Sequence, residues 1–195
     1  IQIVESVVVI GNKPLFVNSV TECYVAENAQ ADQYNLQIAP SNAHLVNFNK
    51  TVQQSNSLYN NHTYILPDAS LVRNNLHLDL NGSNTESHLY GLYLAGASQL
   101  ADNHTTVNHL FPNCLSNELY KGVMLDSARC VFSGRIFVDQ DAQKTNAFQQ
   151  NNNMLLSDTA VIDSKPQLEI FADDVKCSHG STVGSLNKEA LFYLQ

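Results

Sequence analysis

Short apolar stretches alternate with polar punctuation along the whole chain: IQIVESVVVI, ECYVAE, YNLQIA, HLVNF, HTYIL, NLHLDL, LYGLYLAG, TTVNHL, YKGVML, CVFSGRIFV, NMLL, TAVI and LEIFA. Runs this short and this rich in Val, Ile, Leu, Phe and Tyr predict strands rather than helices. In Leu76-His77-Leu78-Asp79-Leu80 and Leu168-Glu169-Ile170-Phe171-Ala172 the period is close to two, as a half-buried sheet surface requires. Only Asn81-Gly82 carries the signal of a tight hairpin, which argues against a sandwich or barrel assembled from hairpins. Short polar corners remain, with amide runs such as Gln149-Gln150-Asn151-Asn152-Asn153 able to stack between successive coils. The pattern predicts an all-β parallel β-helix with coils of about twenty residues.

After Gly184 the pattern changes. Ser185 or Asn187 is a candidate cap for the helix-forming residues that run to Gln195. The expected organisation is therefore a β-helical core over 1–184 and the start of a C-terminal helical region over 185–195. The chain opens on a strand-like run without an initiator Met, so it is expected to be a piece of a longer protein.

Composition narrows the partners. A single domain is expected for 195 residues. With 44% hydrophobic and 14% charged residues, the remaining polarity comes from Asn, Gln, Ser and Thr. A formal charge of −8 with scattered Lys and Arg would repel a phosphate backbone, so nucleic acid is not an expected partner. No apolar run is long enough to span a membrane as a helix. Cys23, Cys114, Cys130 and Cys177 form no CxxC pair, so neither a zinc knuckle nor a local iron–sulfur nest can be read from them. A reduced, cytoplasmic chain is the simpler reading. Four triplets, beginning at Asn49, Asn61, Asn81 and Asn103, match a glycosylation acceptor, a match expected by chance in a chain so rich in Asn, Ser and Thr.

Candidate chemistry gathers in ADDVKCSHGSTVG, from Ala172 to Gly184. Asp173 and Asp174 could divide general acid and base duties. With His179 they offer a secreted polysaccharide-cleaving β-helix as the alternative function. Against it, neighbouring strand residues point to opposite faces, and the DD and GHG motifs of such enzymes lie about a coil apart. Aspartates capping a corner are the simpler account. Cys177 and His179, two residues apart in an extended segment, share one face and are suitable ligands for iron. Two ligands do not close a site, so others would have to come from elsewhere in the chain or from another protein. A buried thiol beside a hydrogen-bonded histidine is the plainer alternative. His104 and His109 are five apart and face opposite ways, and His44, His62, His77 and His88 are isolated.

Three segments carry a resemblance: LYKGVMLDSARCVFSGRIFV, DAQKTNAFQQNNNMLLSD and KPQLEIFADDVKCSHGSTVG, followed by the LFYL of 191–194. Over most of 86–195 the chain resembles the SufBD family of iron–sulfur cluster assembly proteins. Its CSHG sequence, Cys177 to Gly180, resembles the SufD branch rather than the Glu-His-Glu type of SufB. The resemblance implies a right-handed parallel β-helix and a non-catalytic scaffold of the SufBCD complex. It also implies a heterodimer with a SufB-like paralogue through strands near the C-terminal end of the two β-helices. A SufC-like ATPase would bind a C-terminal region beyond this chain. His179, with Cys177 as a weaker second, would help hold a transient iron–sulfur cluster shared with SufB, and whether a flavin joins the complex is left open. A homodimer of the fragment is expected when SufB is absent.

Overall fold

The computed structural model describes residues 1–8, 13–185 and 192–193. Within them the chain runs through β1 (Gln2–Ser6), β2 (Leu15–Val25), β3 (Gln30–Gln37), β4 (Ala43–Gln53), β5 (Leu58–Ile65), β6 (Leu71–Leu80), β7 (Glu86–Ala95), β8 (Leu100–His109), β9 (Leu115–Met124), β10 (Arg129–Val138), β11 (Asn146–Leu155), β12 (Val161–Ile170) and β13 (Lys176–Ser185). The odd strands stack in order into one sheet and the even strands into a second. Every pairing is parallel. One odd and one even strand make a turn, and the molecule is a β-solenoid of about six turns.

The turn is longer than the expected twenty residues. Gln33, Asn61, Leu89, Glu118, Gln149 and His179 are successive partners in one column, 28 to 31 residues apart. Each turn holds two strands, most of them about ten residues long, and two corners. Asn28, Asn56, Asn84, Asn113 and Lys144 repeat at one corner, all with φ near +60°, a conformation Asn tolerates better than most residues. The next residue turns inward and is small: Ala29, Ser57, Thr85, Cys114, Thr145. The amide run 149–153 is not a corner but the middle of β11, and its alternate members Gln149, Asn151 and Asn153 point into the lumen.

Inward-facing residues of the even strands form apolar ladders such as Val17–Leu45–Val72–Ala101–Cys130–Ile162. Burying such a column stabilises the fold by about 1.5 to 3 kcal/mol per large apolar side chain. The lumen also carries polar ladders. Asn47 donates to Asn74 at 3.0 Å and Asn74 to Asn103 at 3.0 Å. Asn61 and Asn103 are each only 1% exposed and Asn49 donates to Gln33 in the lumen, so three of the four glycosylation triplets have their asparagine turned inward. Asn81 alone among them is exposed.

The outer face of the even sheet is charged and paired, with Lys50 on Asp79, Arg73 on Asp102 and Arg135 on Glu169. The outer face of the odd sheet instead stacks His62 between Tyr34 and Tyr90. The helix expected over 185–195 lies outside the described residues, apart from Ser185, which ends β13, and Phe192 and Tyr193, whose backbone is helical.

Candidate functional site

The C-terminal end of the solenoid is an open rung. β12 and β13 each have a single sheet neighbour, so one edge of each strand lacks a backbone partner within the described residues. On β13 the inward-facing positions are Cys177, Ser181, Val183 and His179, stacked in register on Ala147, Asn151, Asn153 and Gln149. Below this rung the column is closed, with Gln149 only 1% exposed. At the rung itself the same face is open, and Val183 is 54% exposed although its partner Asn153 is buried. The alternation expected from spacing therefore holds: Cys177 and His179 share one face of one strand.

Their surroundings differ. Cys177 is half-buried and packs against the core, and burial raises its thiol above the ordinary value, with a backbone contact to Ala147 offsetting part of the rise. It is a protonated thiol at neutral pH rather than a ready thiolate. His179 is exposed. Among the described residues no group of three or more His, Cys, Asp or Glu side chains is arranged to hold a metal ion. Asp173 and Asp174 are exposed at the corner that precedes β13. The main chain of Asp174 is fixed there by donation to the Gln143 side chain at 2.9 Å. Asp173 and Asp174 thus sit in the bend before β13, whereas His179 lies within the strand.

The lumen beneath the rung holds residues that strand patterns alone do not mark. Gln149 Nε2 donates to Glu118 Oε2 at 2.5 Å. Glu118 is fully buried, and desolvation raises its carboxyl to about 7, with the Thr105 hydroxyl and the Gln149 amide holding it from rising further. Glu118 Oε1 and Gln149 Oε1 are both buried without a hydrogen-bond partner. A second polar chain reaches the end from inside. Asn151 donates to the Tyr93 hydroxyl at 2.8 Å, Ser164 donates to Asn151 Oδ1 at 2.8 Å, and Ser181 donates to Ser164 at 2.8 Å. Counting back about 30 residues from His179 finds Gln149 and then Glu118, but only once the length of a turn is known.

Gly180, beside His179, has a singular environment. A Cβ built on it meets no atom within 4 Å, whereas one on Gly134 would come within 2.3 Å of Gln149 Nε2. The shape of this chain among its described residues therefore explains Gly134 and does not explain Gly180.

The model of the SUF system FeS cluster assembly, SufBD core domain, matches residues 1–195. The iron–sulfur cluster assembly protein SufD of Escherichia coli is 37% identical over 171 residues, 88% of this chain and 40% of its own. An iron–sulfur cluster assembly SufBD family protein of Synechocystis is 36% identical over 94% of this chain, and the chloroplastic protein ABCI7 of Arabidopsis thaliana 32% identical over 91%. The chain spans about 40% of the length of these curated relatives. A core-domain match from end to end, together with relatives of this identity over nearly its whole length, shows that the chain belongs to the SufBD family of iron–sulfur cluster assembly proteins.

Proposed function

We propose that this chain is the β-solenoid core of a SufD-like subunit of a SufBCD complex. It acts there as a non-catalytic scaffold that helps build or hold a nascent cluster where it meets a SufB-like partner. The observation that carries this reading is the unfinished site on the open rung. His179 and Cys177 face the same way on the edge strand of the odd-strand sheet, and the described residues supply no third ligand. A site divided between two chains leaves this arrangement in each. The partner would add its strands to the free edges of β12 and β13 and supply the missing ligands. Gly180 supports the same reading, because a glycine with open space above it allows another backbone to approach closely.

The cluster is cargo on this reading, not a resident cofactor. An imidazole nitrogen is a suitable ligand for iron, and the raised thiol of Cys177 makes it the weaker candidate. No helix among the described residues is long and apolar enough to cross a membrane. A SufC-like ATPase is assigned to the longer protein's C-terminal helical region, so tight binding of that ATPase to residues 1–195 alone would contradict this part. Whether the complete complex carries a flavin is a separate question, answered by its visible spectrum. The test of the site is the iron and acid-labile sulfide content of the full-length protein co-expressed anaerobically with its SufB-like and SufC-like partners. Cluster lost from His179→Ala in an assembled complex supports the reading, and cluster retained at wild-type level overturns the role of His179.

A further inference from the structure

The column that ends in His179 contains four buried polar side chains, Gln33, Asn61, Glu118 and Gln149, that the apolar packing of a solenoid does not require. Glu118, Gln149 and His179 occupy consecutive rungs of the odd-strand sheet, about 4.8 Å apart along the stack. The first two are each 1% exposed. Gln149 gives its Nε2 to Glu118 at 2.5 Å, and an amide that donates toward one rung presents its carbonyl away from it. Gln149 Oε1 is left buried and without a partner, and an unpaired buried acceptor is costly. The facing wall is cut to fit this amide, since Gly134 leaves the space that a Cβ would take from it. The rung above Gln149 is His179, which is exposed.

We infer that Gln149 and Glu118 are positioning residues for His179: Gln149 Oε1 accepts the N–H of one imidazole nitrogen, Glu118 holds the Gln149 amide in that sense, and the other ring nitrogen is thereby turned outward as an acceptor. This rests on the reading of His179 as a ligand and deepens it. A ligating histidine is ordinarily fixed by a hydrogen bond from its second nitrogen, and the acceptor selects the tautomer. Here the acceptor comes from the lumen, so the chain presents one defined nitrogen to the shared site before any partner arrives.

The test is the ring-nitrogen spectrum of the full-length protein labelled with 15N-histidine, the His179 signals being identified by their loss in His179→Ala. Recorded at a pH high enough to keep imidazoles neutral, the expected wild-type pattern is a single tautomer, one nitrogen protonated and one not. Gln149→Leu is expected to lose that pattern and give the averaged signals of exchanging tautomers, and Gln149→Met serves the same purpose should leucine disturb folding. The exchanged pair, Glu118→Gln with Gln149→Glu, keeps both the donor and the acceptor and is expected to restore the single tautomer. Averaged signals in the wild type, or a single tautomer that survives Gln149→Leu or Gln149→Met, would overturn the inference. The ligand role fails separately: if His179→Ala keeps its cluster while the tautomer still follows Gln149, the positioning stands and the ligand assignment falls.

Discussion

Replacing Glu118 with glutamine is expected to stabilise the protein by an amount that grows with pH. The carboxyl is enclosed in the lumen, and desolvation raises it from an ordinary 4.5 to about 7, against the smaller opposing effects of Thr105 and Gln149. Between those two values the folded protein keeps a proton that the unfolded chain has released. Stability therefore falls as pH rises through this window, with nothing lost below about 4.5 and the loss complete above about 7. At about 1.4 kcal/mol for each tenfold change in proton affinity, the full loss is about 3 kcal/mol. Glutamine has the same shape, can still accept from Gln149 through its carbonyl, and carries no charge to desolvate. Urea unfolding of both proteins at a series of pH values reads the difference directly. The gap should be near zero at pH 4 and reach about 3 kcal/mol in favour of Glu118→Gln by pH 8.5. A gap that stays constant across this range, or that favours the wild type at high pH, would show that the lumen compensates the carboxylate and would refute the reasoning.

Other outcomes follow from the same geometry. His109, buried with Nε2 2.8 Å from Ser116 Oγ, is pushed by desolvation to about 3. Its contribution to stability is present above about 6.5 and is lost as pH falls toward 3, so a series of unfolding curves should show His109→Gln gaining on the wild type as pH drops from 7 to 4. Gly91→Ala places a Cβ 2.1 Å from the Tyr120 ring, an overpacking expected to cost about 1 to 3 kcal/mol in chemical unfolding. Gly180→Val should leave the unfolding curve of this chain within about 0.5 kcal/mol of wild type yet weaken capture of the SufB-like partner in a pull-down, and intact capture would remove Gly180 from the interface. With no strand paired to the outer edges of β12 and β13 among the described residues, residues 1–195 should be a homodimer at tens of micromolar by light scattering, and a monomer would count against those edges being adhesive.

The strands were legible because period two shows itself within single short runs such as Leu76–Leu80, and parallel stacking could be inferred from the scarcity of hairpin turns. Turn length was not legible from apolar spacing, since strands of both sheets read alike and one repeat unit contains two of them. The signal that fixes it lies in the corners, where Asn28, Asn56, Asn84 and Asn113 take up left-handed backbone ahead of a small inward residue. The substitution of Lys144 in the fifth copy and slightly longer later turns blur the repeat. The shared face of Cys177 and His179 followed from their spacing alone. Glu118 and Gln149 did not, because contacts between rungs join residues about 30 apart, and an amide or acid within a strand reads as an outward-facing residue until the register is known. The polar lumen is thus the part of the fold that hydropathy conceals.

On the proposed reading, His179 contributes a nitrogen to a cluster shared with a partner chain. Pulsed electron paramagnetic resonance of the reduced cluster tests it most directly, in a complex where only this subunit carries 15N-histidine. A 15N coupling to the cluster that disappears in His179→Ala is the predicted result. A cluster with no 15N coupling from this subunit, or with a coupling unchanged in His179→Ala, would contradict the account and assign the ligands elsewhere.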